Sequence, residues 1–112
     1  MKRGNIFDAR LNPTEGSEQA GVRPVVIVSR DAINKYSMVV VVVPLTKAVN
    51  VKRDYPNNVT IAKGEGGLTF ESVLLGGQVR AISKLRLLSQ RGTLSTETMH
   101  QVDRALRITL DL

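Results

Sequence analysis

The sequence predicts a small, strongly bent antiparallel sheet with an amphipathic helix at its C-terminal end, and three observations carry that reading. The runs "PVVIVS" and "MVVVVVPL" are built from β-branched residues, whose two Cβ substituents suit a pleated surface and crowd a helix. Two adjacent glycines, Gly76 and Gly77, interrupt the run "ESVLLGGQVRAI", where a bulge or sharp bend lets a sheet curl. After Ser95 the apolar spacing changes to that of a helix. At 112 residues there is material for one hydrophobic core, so residues 1–112 read as a single domain.

In chain order, "NIFDARL" alternates weakly and reads as the first strand. A polar stretch then leads to Pro24–Ser29, the second strand. Met38–Leu45 has no polar break, so Val39–Val43 should be central and covered on both faces. "NVTIA" at 58–62 and the run at 71–82 form a second group of strands, separated by the turn glycines of "KGEGG". In the final segment Ser95 is placed to cap the helix, and Glu97 sits in the first turn, where the helix dipole favours a negative charge. Met99, Val102, Leu106 and Thr109/Leu110 fall on the face expected to lie on the sheet.

Composition narrows the class. Apolar residues at 42% and charged residues at 23% are a globular balance. The absence of cysteine excludes disulfides and thiolate metal sites, and a cytoplasmic setting is the default expectation. "MKRGNIFDAR" lacks the apolar run of a signal peptide, and no segment has the length of a membrane span. Sixteen Lys and Arg against ten Asp and Glu give a net charge of +6, which suits a polyanionic partner through counterion release. The basic residues are nevertheless dispersed from Lys2 to Arg107, as on an ordinary solvated surface.

The single histidine, His100, falls on the polar side of the final helix beside Asp103 and Arg104, a surface position rather than a catalytic one. No pair of histidines, metal-ligand cluster, Walker loop or nucleophile elbow is present, so no metal or cofactor is expected. Any enzyme built here works with carboxylate, guanidinium and hydroxyl groups. Those groups gather in "NPTEGSEQAGVRP", a polar loop long for so small a domain. Gly16 and Gly21 permit unusual dihedrals there. Arg23 stands where the loop enters the second strand, with Glu18 and Gln19 above it, and a simple meander would bring Thr46 of "PLTKA" to the same end of the sheet. The plainer reading of Arg23 and Glu18 is a surface salt bridge that pins the loop.

"NPTEGSEQAGVRPVVIVS", the strand ending "VPLT", and "SVLLGGQVRAISKLRL" follow one another along nearly the whole chain, and together they resemble the MazF/PemK family of toxin endoribonucleases. "GSEQAGVRP" is the most specific of the three elements. Asn5 and Gly77 depart from the pattern, each standing where the family often carries an acidic residue. The resemblance implies an SH3-like barrel of antiparallel strands with short helices, mainly β, in accord with the bent sheet and terminal helix. It implies sequence-specific, metal-independent cleavage of single-stranded RNA, with catalytic roles for Arg23 and Thr46 and the loop acid at Glu18. It also implies a bacterial cytoplasmic toxin, a homodimer, a cognate antitoxin that neutralises it, and contact with DNA only through the antitoxin complex.

The chemistry of such cleavage suits this inventory. An attacking 2′-OH must lose its proton while donors stabilise the phosphorane. Arginine offers a permanently charged fork and threonine a hydroxyl. A guanidinium holds its proton too firmly to be a ready base, so Arg23 is assigned chiefly to electrostatic stabilisation, with proton donation to the leaving oxygen left open, and Glu18 is the candidate base, although the family resemblance implies both proton roles for Arg23. RNA contacts are expected from Asn12, Thr14, Glu15, Ser17 and Gln19 of the loop and from Gln78, with Arg80 holding phosphate. With two Phe, two Tyr and no Trp, stacking platforms are few. The alternatives are a CcdB-like protein that poisons DNA gyrase on the same fold, disfavoured by the lack of tryptophan, and a non-catalytic RNA-binding barrel.

Overall fold

The computed structural model describes residues 1–11 and 21–112. Seven strands make up the sheet among these residues: β1 (Asn5–Arg10), β2 (Val22–Ile27), β3 (Val39–Lys47), β4 (Asn58–Ile61), β5 (Ser72–Leu75), β6 (Arg80–Ser83) and β7 (Leu87–Thr93). The helices are α1 (Asp31–Tyr36) and α2 (Thr96–Leu110). Along the sheet the order is β4-β5-β3-β2-β1-β7, with β6 also on β3, and every pairing is antiparallel. The mainly β architecture with a C-terminal helix is therefore as the sequence predicts. Two elements are additional: α1, which follows β2, and the polar strand β7, which pairs with β1.

β3 is the spine. Its first half, Val39–Val42, pairs with β6, and its last residues, Leu45–Lys47, pair with β5. Between these, three steps on β3 from Leu45 to Val42 face six from Leu74 to Arg80. The surplus is taken up by a 3₁₀ turn, Gly76–Gln78, so the bend expected at the paired glycines is present as a turn. It also explains how proline is tolerated in a central strand. Pro44 lies where pairing to β6 has ended and pairing to β5 has not begun, so its missing N–H costs no ladder bond on that side.

Both faces of the central strands are buried, as the uninterrupted valines require. Ile6, Val26, Val43, Leu45, Ile61, Leu74 and Val102 belong to one core cluster. Ala9, Leu11, Val25, Ile27, Val40, Val42 and Ile82 belong to a second. The two ends of β3 escape, with Val39 and Lys47 exposed, so the expected cover over Val39–Val43 begins at Val40.

α2 begins as expected: the Ser95 hydroxyl accepts from the Thr98 N–H at 3.1 Å, satisfying one of the four unpaired donors of a helix start. Its buried face is Thr98, Met99, Val102 and Ala105, with Leu106 half-buried against the core. Complete burial of a side chain such as Val102 stabilises by about 1.5–3 kcal/mol. Leu110 is exposed, a correction to the expected stripe, because the buried face turns to Ala105 and then runs off the sheet. At the other end Arg3 ties the N-terminus to this helix through Asp103 at 2.6 Å and donates to the Val28 carbonyl at 2.8 Å.

Candidate functional site at the strand ends

Arg23 is the second residue of β2 and is half-buried, directly opposite Ala9 of β1. The chain enters β2 through Gly21, whose φ of +72° is a left-handed conformation that favours glycine. The Gly21 carbonyl accepts from the Leu11 N–H at 2.9 Å, closing the base of the loop between β1 and β2. Arg23 thus springs from ladder backbone.

Thr46 sits near the end of β3 and is only 7% exposed. In the β2–β3 ladder Val25 stands against Pro44. Continued by two residues, that register sets Arg23 against Thr46. Strand alternation puts both on the face of Val25 and Val42. Thr46 itself is paired with Val73 of β5, and Arg23 and Thr46 lie on one face at the end of the β2–β3 ladder without being a ladder pair. The simple meander expected from the sequence is the observed one.

Beside Thr46 opens a pocket of about 450 Å³, in the range that encloses small ligands. Gln78 and Gly77 of the 3₁₀ turn line it. So do Asn50, Lys52 and Arg53 after β3, Tyr55 and Asn57 before β4, and Asn58 at its start. Two cations, several amides and one aromatic ring are groups that receive phosphate, base edges and a base face. The wall is held from behind. The Gly76 N–H donates to the Asn57 carbonyl at 3.1 Å, the Thr109 hydroxyl donates to the Gly76 carbonyl at 3.1 Å, and the Asn57 side-chain amide donates to the Thr109 oxygen at 3.1 Å. α2 is thereby fastened to the turn that presents Gln78. A Cβ on Gly76 would lie 2.1 Å from the Asn57 carbonyl oxygen, so the close approach admits no side chain.

Thr46 and Gln78 therefore share one pocket, and Arg23 emerges at the same end of the sheet, two residues beyond the last β2–β3 pair. Arg80 opens β6 opposite Val42, four residues back along β3 and so about 13 Å from Thr46. Asn12, Thr14, Glu15, Ser17, Glu18 and Gln19 lie outside the described residues. Among the described residues no three His, Cys, Asp or Glu side chains are grouped as a metal site needs. His100 is exposed. Asn5, one of the two departures, is buried; its oxygen accepts from the Lys2 N–H at 2.7 Å and its amide donates to Thr93 at 3.0 Å. Gly77, the other, lines the pocket, where a Cβ would stand 3.3 Å from the Asn57 amide. The sequence reading missed Asn50, Lys52, Arg53, Tyr55 and Asn57. Their signal was present in "NVKRDYPNN", a basic and amide-rich stretch around a tyrosine between two strands.

Fold and site together define a small basic β protein with an anion-receptive pocket at its strand ends. The chain belongs to the PemK-like, MazF-like toxin family of type II toxin–antitoxin systems, whose pattern matches residues 2–110. It is 44% identical over 112 residues to an endoribonuclease MazF of Staphylococcus epidermidis, covering all of this chain and 92% of that one. Among solved structures it resembles the Mycobacterium tuberculosis toxin MazF-mt6 at a TM-score of 0.80 and 25% identity, covering 96% of this chain and 97% of that one. It also shares the fold of an endoribonuclease in complex with its cognate antitoxin from Mycobacterial species, at a TM-score of 0.82 and 24% identity over 100% and 96% of the two chains.

Proposed function

We propose that this protein is an endoribonuclease toxin that cuts single-stranded RNA by attack of a 2′-hydroxyl on the adjacent phosphorus. The observation that supports the reading is Thr46 lining a basic, amide-rich pocket together with Gln78, while the β2–β3 register, extended past Val25 and Pro44, brings Arg23 toward it. The phosphate takes its place between Arg23 and Thr46. Glu18 removes the 2′-OH proton, the new P–O2′ bond forms, the P–O5′ bond breaks, and the 5′ oxygen takes up a proton. The products are a 2′,3′-cyclic phosphate and a 5′-hydroxyl. Arg23 and Thr46 hold the phosphorane oxygens as their charge grows, which is where preorganised donors lower a barrier most. Neither group needs a metal for this. Gln78, Arg80 and the loop residues position flanking nucleotides.

The partner that silences the toxin is a small acidic antitoxin lying over the same basic surface. The protein acts in the bacterial cytoplasm as a homodimer, and no helix among the described residues is long and apolar enough to cross a membrane. The surface offered to a second copy is Tyr36, Met38, Val39 and Leu85, all exposed. The last three are neighbours because Val39 pairs with Ser83 and the Lys84 N–H donates to the Met38 carbonyl.

Incubation with a long single-stranded RNA in EDTA tests the chemistry. Discrete fragments bearing 5′-hydroxyls are expected, and a 2′-deoxy nucleotide at a mapped cut site should abolish cleavage there. Equal cutting of an all-deoxy strand, or activity restored only by added metal, refutes internal attack. Binding without turnover leaves only an RNA-binding barrel.

A further inference from the structure

On the opposite side of the β3 end from the pocket lies a feature that the catalytic reading does not use. Lys47 follows Thr46 and, by alternation, points to the other face. Its ammonium stands over the ring of Phe70, 4.1 Å from the centroid. Phe70 is 53% exposed, a large apolar ring with no polar atom to justify its exposure. It is held on ordered backbone: its carbonyl accepts from the Ser72 hydroxyl at 2.9 Å, and the next carbonyl, of Glu71, accepts from the Ala48 N–H at 2.8 Å. Lys47 and Ser72 are paired across β3 and β5.

The chain has four aromatic residues. Phe7 packs on the second core cluster and Tyr36 lies on the surface assigned above to a second copy. The remaining two are Tyr55, which lines the pocket with Thr46, and Phe70, which lies under Lys47, the residue after Thr46. A single-stranded nucleic acid whose phosphate is held at Thr46 must continue past the strand end in both directions. One residue of extended chain spans about 3.3 Å, so Lys47 lies within one or two nucleotides of that phosphate.

We propose that Phe70 and Lys47 form a stacking platform for a nucleobase flanking the scissile phosphate. The base lies on the exposed part of the Phe70 ring while Lys47 pairs with the adjoining phosphate. Stacking on a phenyl ring is sequence-tolerant, since every base has a π face. This platform therefore adds affinity and fixes the direction of the strand, whereas the amides of the pocket select among bases. The proposal rests on the single-stranded RNA reading of the site.

The test compares wild type with Phe70→Ala, Phe70→Trp and Lys47→Ala. Binding is measured by fluorescence anisotropy on a 2′-O-methyl RNA oligonucleotide spanning a mapped cleavage site, and kinetics on the matching RNA. Phe70→Ala should weaken binding by roughly 5- to 100-fold and raise KM with kcat little changed. Its thermal midpoint should stay at the wild-type value, because the ring is half out of the core. Phe70→Trp should bind at least as tightly as wild type. Lys47→Ala should make the plot of log affinity against log salt shallower by about 0.7, the share of one single-strand phosphate. If wild type cuts RNA but Phe70→Ala binds as tightly as wild type, the platform is wrong and the endonuclease reading stands. If Phe70→Ala weakens only a peptide or protein partner, the surface is a protein-docking site and the proposal fails. A wild type that neither binds nor cuts RNA removes both readings.

Discussion

Removing the Arg23 side chain is the most direct test of the site, and the structure sets the size of the effect. Arg23→Ala deletes the charged fork proposed to hold the phosphate; loss of one transition-state donor typically slows turnover by roughly 10²–10³, about 2.7–4 kcal/mol. Thr46→Val deletes the opposing hydroxyl at nearly constant shape in a site only 7% exposed, and should lose activity over the same range. Were the two groups independent, the double variant would lose the product, roughly 10⁴–10⁶. In the proposed site both address one phosphate. Residues that act as a unit are strongly non-additive, so the double variant should fall within about tenfold of the worse single one. Arg23→Lys should rescue in part, since an ammonium carries the charge but not the planar fork, and Thr46→Ser should retain activity. Arg23→Ala should remain folded while it loses turnover. Single-turnover cleavage of one RNA oligonucleotide, read beside the thermal midpoint of each variant, decides the matter. If Arg23→Ala and Glu18→Ala both melt early while activity falls only in step with unfolding, Arg23 merely pins the loop and its catalytic assignment is wrong.

Gly76→Ala should destabilise by about 1–3 kcal/mol as an overpacked contact and lower cleavage of the folded protein. Its Cβ collides with the Asn57 carbonyl and displaces the turn carrying Gln78, and a variant with unchanged melting and activity contradicts that fit. Ser95→Ala removes the α2 cap and should cost about 1 kcal/mol in denaturant titration with kcat intact; an unchanged midpoint means that the cap is replaced by solvent. Light scattering at micromolar concentration should give twice the 12.3 kDa chain mass, and Leu85→Glu should halve it. A wild-type monomer rules out the dimer.

Much of this protein was legible in its sequence because the relevant forces are local or periodic. An uninterrupted valine run has no polar face to offer water, so Val39–Val43 had to lie inside a sheet. Ser95 with Glu97 announces a helix start whatever the helix packs on. The glycine pair announces a break in a strand by its lack of side chains, and at Gly76 the structure supplies the reason, an Asn57 carbonyl that a Cβ would meet at 2.1 Å. Arg23 and Thr46 were nominated as catalytic by the resemblance of "GSEQAGVRP" and "VPLT" to the toxin family and not by composition, since the chain holds sixteen Lys and Arg. α1 was missed because six residues are too few to show a helical period. β7 was missed because "LLSQRGT" has little strand character of its own. Its pairing with β1, interrupted by two register shifts, makes it a strand.

Only the tertiary structure decided which residues meet. Register is a relation between strands, and a slip of one residue would turn Thr46 to the opposite face from Arg23. The hydrophobic pattern of each strand is satisfied by its own alternation and does not name a partner. The three-residue excess at Gly76–Gln78, the clasp from Thr109 to Asn57, and the meeting of Lys47 with Phe70 likewise depend on how β5 and β6 share one edge of β3. Those contacts join residues far apart in the chain, and they exist only once the core has closed around them.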